Sequence, residues 1–165
     1  MTLIFRLSLI LCISLLSSCY SFKGINIPSN VNTFYVEDFT LTSSNAPGDL
    51  NQVFAQGLRQ KIREESRLIN NNTEPDIIFK GSITRYTVLS VAPEEGSTTS
   101  LNRLEIGVRI DYENTLDEED SWTKNYTDFE DYDASEDLQS LRDDLIDEII
   151  EDMMERIFND AFANW

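Results

Sequence analysis

The residue best equipped for chemistry is Cys19, whose thiol follows Leu16-Ser17-Ser18 at the end of an apolar run. A cysteine sulfur is a nucleophile, and the small residues before it give a peptidase access to the adjoining bond. The other cysteine, Cys12, lies inside the same run, so nothing after Cys19 can form a disulfide or a thiolate metal site. Histidine is absent from all 165 residues, which removes the usual general base, the serine and cysteine triads, and most zinc and iron sites. Carboxylates remain. Asp128, Glu130, Asp131, Asp133, Glu136 and Asp137 crowd one short stretch and suggest calcium, but an EF-hand loop needs glycine at its sixth position and glutamate at its twelfth. Counting from Asp128 gives Asp133 and Gln139, and from Asp131 gives Glu136 and Arg142. Neither register fits, and a glycosidase pair would need two carboxyls flanking a cleft. Acidic residues on a solvated helix face account for them better, so no catalytic residue, metal ligand or cofactor is assigned.

The run before Cys19 carries its positive charge early, at Arg6, and ends on small residues, which is the pattern of a secretory signal. Its uncharged part, Leu7 to Leu16, is too short for a membrane-spanning helix of about 20 apolar residues. Leu16-Ser17-Ser18-Cys19 resembles the bacterial lipobox, in which the cysteine takes a diacylglyceryl group on sulfur, is exposed by cleavage, and is then acylated on its new amine. Burial of acyl chain contributes roughly 0.8 kcal/mol per CH₂, so several chains hold a protein at a bilayer where one does so marginally. The expected division is therefore a signal peptide over 1–18, a lipidated N-terminus and tether over 19–32, and one domain over 33–165. From Cys19 onward the chain has 147 residues, enough for a single core.

Thr33 to Leu41 is rich in aromatic and β-branched residues and predicts a first strand. Asp49 stands three residues before Gln52 as in a capping box, and Leu50, Val53, Phe54, Gly57, Leu58 and Ile62 recur at helical spacing, which predicts a helix over 49–66. Gly57 on the apolar face has two readings of equal weight, close packing of the helix against a sheet or a glycine that is simply tolerated. Asp76 to Val91 reads as a strand whose alternation slips around Gly81, the signature of a bulge. Ala92 to Ser100 is a hairpin loop. Leu104, Ile106, Val108, Ile110 and Tyr112 then alternate with polar residues, one face core and one wet, and Trp122 to Phe129 predicts a fourth strand after a turn. A last helix starts at Ser135, taken as its N-cap, and runs to the end of the chain with Leu138, Leu141, Leu145, Ile149, Met153, Ile157 and Ala161 on one stripe. The fold class is α+β: a four-stranded mixed sheet covered by two helices, in the order β-α-β-β-β-α. A helix of roughly 28 residues, about 42 Å at 1.5 Å per residue, is expected to overrun such a sheet. Most of its stripe is then core, and Phe158, Phe162 and Trp165 form the candidate partner interface.

Charge is unevenly placed, with a balance of −1 over 20–104 and −17 over 105–165. So acidic a body repels phosphates, which excludes nucleic acid as a partner, and it gains nothing from anionic headgroups, which leaves acyl chains to hold it at a membrane.

Four stretches together carry a family resemblance: Cys19-Tyr20-Ser21-Phe22-Lys23-Gly24 with Ile27-Pro28, Leu101-Asn102-Arg103-Leu104, Tyr126-Thr127-Asp128-Phe129, and Ile157 to Trp165. In order and spacing the chain resembles the LptE family of lipopolysaccharide-assembly lipoproteins. The resemblance implies a non-enzymatic outer-membrane lipoprotein that faces the periplasm, sits in or against an LptD-type β-barrel, helps that barrel assemble, and aids insertion of lipopolysaccharide into the outer leaflet. No acidic run follows Cys19 of the kind that sends some lipoproteins to the cell surface, which favours the periplasmic orientation. The family's lipopolysaccharide contacts are basic, whereas Ala92 to Ser100 contains Glu94 and Glu95 and no cation. Arg85, Arg103 and Arg109 are the candidate positive strip for direct contact, weighed against their pairing as exposed strand arginines with Glu105 or Asp111. The alternative function is a generic periplasm-facing lipoprotein that scaffolds another envelope complex or binds a small lipid in the cleft between sheet and helices. Cys19→Ala is expected to abolish metabolic labelling with palmitate and to release the protein from membranes; labelling that persists would refute the anchor.

Overall fold

A computed structural model describes residues 27–92 and 100–163. Cys19 and the leader before it, the inner residues of the 92–100 loop, and Trp165 lie outside the described residues. Eight main elements follow the chain: β1 (Thr33–Val36), β2 (Thr40–Leu41), α1 (Leu50–Glu65), β3 (Ile69–Asn70), β4 (Ile77–Val91), β5 (Leu101–Asn114), β6 (Trp122–Asp133) and α2 (Leu138–Phe162), with a 3-10 turn at Glu118–Asp120. They build a six-stranded sheet in the order β3-β1-β4-β5-β6, in which β2 also pairs with β4. Pairings among β1, β2, β3 and β4 are parallel, and β4-β5 and β5-β6 are antiparallel. The expected α+β sandwich is present, with two short strands beyond the four expected, because the first predicted strand is broken in two and a two-residue strand follows α1.

The break has a cause at Gly81. A Cβ there would collide with the Phe39 ring and with the carbonyl oxygen of Arg109 on the neighbouring strand. Phe39 therefore occupies the place of a missing side chain, and its ring meets Phe54 of α1 at 4.9 Å between centroids. Turning Phe39 inward takes the chain out of the ladder after the Glu37 N–H, which still donates to the Phe79 carbonyl at 2.9 Å, and α1 supplies substitutes: Arg59 Nη2 donates to the Val36 carbonyl at 3.2 Å, and Asn51 Nδ2 to the Phe39 carbonyl at 2.9 Å. The slip in alternation thus marks a ring plugged into the sheet at Gly81. The bulge itself lies further on, between Ile83 and Arg85, just where pairing with β2 ends.

Both helices lie on one face of the sheet and run parallel, since Leu50 neighbours Ile146, Gly57 meets Ile150 and Met154, and Lys61 binds Glu155. Gly57 therefore serves helix-helix packing, not the helix-sheet packing of the first reading: its Cβ position is 3.3 Å from Ile150 Cγ2. The core between layers is filled. Phe34, Phe54, Leu58, Phe79, Leu104, Ile106, Ile110, Met153 and Ile157 are all fully buried, and each contributes roughly 1.5–3 kcal/mol of burial. α2 is capped by Asp137, whose carboxylate accepts the Gln139 N–H at 3.2 Å. Ser135 is not the cap because Asp133 captures both its N–H and its hydroxyl, at 2.8 and 2.7 Å. Among the described residues no helix is long and apolar enough to cross a membrane.

Gly81→Ala is expected to destabilise by about 2–3 kcal/mol through overpacking, lowering Tm by roughly 5–10 °C. Gly48, which has open space around its Cβ position, should accept alanine with no measurable change in the same calorimetric comparison.

Candidate functional site

The sheet has a bare face, and its two ends differ. One end receives the chain from the N-terminal side. Arg67 grips that incoming segment, donating from Nη2 to the Pro28 carbonyl at 2.7 Å and from Nη1 to Asn32 Oδ1 at 3.3 Å. Asp76 holds it next: one carboxylate oxygen accepts the N–H groups of Asn32 and Thr33 at 2.8 and 2.9 Å, while the Asp76 N–H donates to Thr33 Oγ1 at 3.0 Å. The Asn32 bond, with smaller help from Thr33, holds the Asp76 carboxyl below its usual range. The C-terminus of α2 reaches the same end. There the Tyr126 hydroxyl donates to Asp160 at 2.7 Å, and burial together with that carboxylate raises the phenol well above its ordinary value, so it stays a donor. Buried Asn114 shapes the neighbouring turn, accepting from the N–H groups of Leu116 and Asp117. A cavity of about 130 Å³ lies there, lined by Ile27, Val31, Tyr112, Trp122 and Phe162 among others. Nothing in the sequence pattern singled out Arg67 or Asp76, because each is an isolated charge whose role comes from long-range pairing.

The bare face carries the three arginines proposed from sequence. Arg103 and Arg109 share it by strand parity, and Arg85 joins them because the bulge swings it over Gly107. All three are paired. Arg85 Nη1 meets Glu105 at 2.6 Å, Arg109 Nη2 meets Asp111 at 3.2 Å, and Arg103 makes a two-pronged contact with Asp131 at 2.7 and 2.9 Å. Arg103 thus bridges to β6, a partner not anticipated for it, and its guanidinium also lies 3.6 Å from the centre of the Phe129 ring. The strip therefore sets a carboxylate beside each of its three cations.

Phe158 and Phe162 correct the expected interface. They are only 2 % and 3 % exposed, stacked on one another at 5.0 Å, with Phe162 also against Phe79. β5 and β6 are longer than expected: with 14 and 12 residues they span about 46 and 40 Å at 3.3 Å per residue. α2, with 25 residues, is about 38 Å long. It has no overhang to offer, and both rings face the chain's own core.

Acidic charge gathers where α2 crosses β6. Glu130 faces the helix, and burial first, then Glu148, Asp152, Asp128 and Asp131, raise its pKa from the ordinary carboxylate value. Arg156 relieves only part of this cluster, pairing with Asp128 and the Thr127 carbonyl.

Such a body is a two-layer α+β domain with a filled core, arginines paired on its bare face and an excess of carboxylates on its helix side. The family follows from sequence: residues 31–161 match the model of the lipopolysaccharide-assembly family LptE, and the chain belongs to that family. It is a family of non-enzymatic lipoproteins of the outer membrane. No curated protein matches the chain. Among solved structures, a hypothetical protein from Chlamydia trachomatis is similar over 81 % of this chain and 99 % of its own, at 8 % identity and a TM-score of 0.51. A protein from Xanthomonas campestris is similar over 83 % and 89 %, at 7 % identity and the same TM-score. A minor lipoprotein from Acinetobacter baumannii covers 78 % of this chain and 90 % of its own, at 13 % identity and a TM-score of 0.49. The first two share the fold, and nothing further rests on any of the three.

Because the Glu130 pKa is raised on folding, the folded chain binds more protons than the unfolded one between the two values, so the group's stabilising share is present below pH 4.5 and lost as pH rises through the folded value. Glu130→Gln is therefore expected to raise Tm at pH 7, with a gain that shrinks to nothing below pH 4.5. An identical Tm at pH 7 would show that the cluster exerts no strain.

Proposed function

We propose that this chain is a lipid-anchored, periplasm-facing subunit of the outer-membrane lipopolysaccharide translocon, which supports assembly of an LptD-type β-barrel and insertion of lipopolysaccharide into the outer leaflet. The observation that carries the reading is the family match over 31–161. The domain's polarity supports it. Cys19 stands eight residues before Ile27, so a lipidated Cys19 would keep the Arg67 and Asp76 end within about 28 Å of the bilayer, at 3.5 Å per residue. The β4-β5 hairpin then projects the opposite end away from that attachment. An anionic surface leaves the acyl chains as the hold on the membrane, and no residue is required to turn over a substrate.

The alternative is a generic periplasm-facing lipoprotein that scaffolds a different envelope complex. Its small-lipid version needs a cleft between sheet and helices, and that space is occupied by fully buried side chains from Phe34 to Ile157. A tagged full-length chain, solubilised in mild detergent from outer membranes, should bring down a large β-barrel protein. Recovery of other envelope proteins without a barrel would shift the assignment to the generic scaffold.

A further inference from the structure

β4 is paired on both sides for only part of its length. Ile77–Phe79 pairs with β1, Ser82 and Ile83 pair with β2, and from Thr84 to Val91 no described strand lies on that side, while pairing with β5 continues to Val91↔Leu101. The direction of the free groups follows from register. The Ile83 carbonyl accepts from the Thr42 N–H, so Ile83 points its backbone away from β5. Ile83 faces Val108, and beyond the bulge Tyr86, Val88 and Ser90 face Ile106, Leu104 and Asn102, which keep the parity of Val108. Backbone N–H and C=O groups of Tyr86, Val88 and Ser90 therefore open outward in a row.

Exposed edges of this kind are normally guarded by charge. The other long edge, β6, is guarded: it carries Lys124, Asp128, Glu130, Asp131 and Asp133, and Arg156 reaches onto its Thr127 carbonyl. From Tyr86 to Ala92 there is no charged residue. Val88 is 41 % exposed on the helix side of the sheet and Leu89 45 % exposed on the bare side. The segment is a neutral, apolar, hydrogen-bonding edge on a strongly acidic body.

We propose that this edge, Tyr86 to Val91, receives an extended segment of the barrel partner as an added strand, a proposal that rests on the function proposed above. Such a strand would lie about 4.8 Å from β4, with uncharged side chains flanking Val88 on one face and Leu89 on the other. A second copy of this chain is a poor occupant, because each copy brings a net charge of −17 and like charge opposes association. The chain's own tether is too short. Val31 and Ile27 lie beside Ile77, eight residues reach about 28 Å from Cys19 to Ile27, and Val88 is eleven residues, about 36 Å, along β4 from Ile77.

A photo-crosslinking amino acid placed at Val88 or Leu89 of the full chain in cells is expected to capture the barrel, while the same probe at exposed Ile69, on β3 beside the far, Ile77 end of β4, is not. Val88→Pro removes one outward N–H and spares the bonds to β5, and Val88→Lys blunts the edge with every backbone group intact. Each should lower barrel recovery in the pull-down by about tenfold with thermal unfolding unchanged for the lysine variant. If the wild-type chain recovers the barrel but Val88→Lys recovers as much and neither probe captures it, the edge proposal falls and the functional reading stands. If the wild-type chain recovers no barrel, both fall. Capture of a second copy, or of the chain's own residues, at Val88 also overturns the proposal.

Discussion

The antiparallel pairing of β4 with β5, from Ile77↔Asn114 to Val91↔Leu101, is the constraint on which the rest depends. Strand side chains alternate between faces, so one register decides at once which residues are core and which are wet. Leu104, Ile106, Val108, Ile110 and Tyr112 go under the helices, and Arg103, Glu105, Arg109, Asp111 and Glu113 go to the bare face. The bulge at Ile83–Arg85 keeps that assignment correct on β4 beyond the reach of β2, because regular alternation from Ile83 onward would put Tyr86 and Val88 on the other side. Gly81 and Gly107 fit the same frame. One admits Phe39 to the core face, and the other lets Arg85 and Thr84 lie across the bare face.

Electrostatics are subordinate to that frame. α2 carries Asp143, Asp147, Glu151 and Glu155 four residues apart, and Asp144, Glu148 and Asp152 beside them. Like charges at that spacing each cost an isolated helix about 0.2–0.5 kcal/mol. The helix forms because its opposite stripe is buried along its length, and burial of Ile149, Met153 and Ile157 outweighs those repulsions. Lys61 is where the two helices relieve some of the excess: burial lowers its pKa, but Glu155 and Glu65 at 2.5 and 2.6 Å outweigh this and raise it overall.

Much of this was legible in the sequence where periodicity is long and clean. β5 alternates without interruption, α1 and α2 show their stripes, and Gly81 was visible as a disturbance. Its meaning was not, since a missing side chain reads the same whether a bulge or a distant ring explains it, and the Phe39 partner lies 42 residues away. Two-residue strands such as β2 and β3 are too short to show any period, and they exist only because β1 and β4 supply backbone partners. The N-cap was displaced by two residues because Ser135 and Asp137 are both good caps locally, and only the capture of Ser135 by Asp133 separates them. Phe158 and Phe162 read as outward in the sequence because the clear alternation covers only Leu104 to Tyr112 and Trp122 to Phe129, whereas β5 starts at Leu101 and β6 runs to Asp133. The arginine strip was placed on one face correctly for Arg103 and Arg109, while Arg85 reached it through a bulge whose position the sequence did not disclose.

The surfaces of this domain, a member of a non-enzymatic family, are unequal. The helix side is acidic, the bare face is balanced by pairs such as Arg103–Asp131, and the end that meets the incoming segment is tied down by Arg67 and Asp76. Among the described residues the backbone of Tyr86, Val88 and Ser90 has no strand on its outer side. Unpaired backbone groups at a surface are satisfied by water at little cost, so stability alone gives no reason to leave this stretch uncharged or its flanking positions apolar. Charges elsewhere on the chain are plentiful, and β6 shows that they can be spent on an edge. Their absence from Tyr86 to Val91, at the end of β4 far from Ile27, is therefore what the association proposed for that edge requires and what folding leaves without a reason.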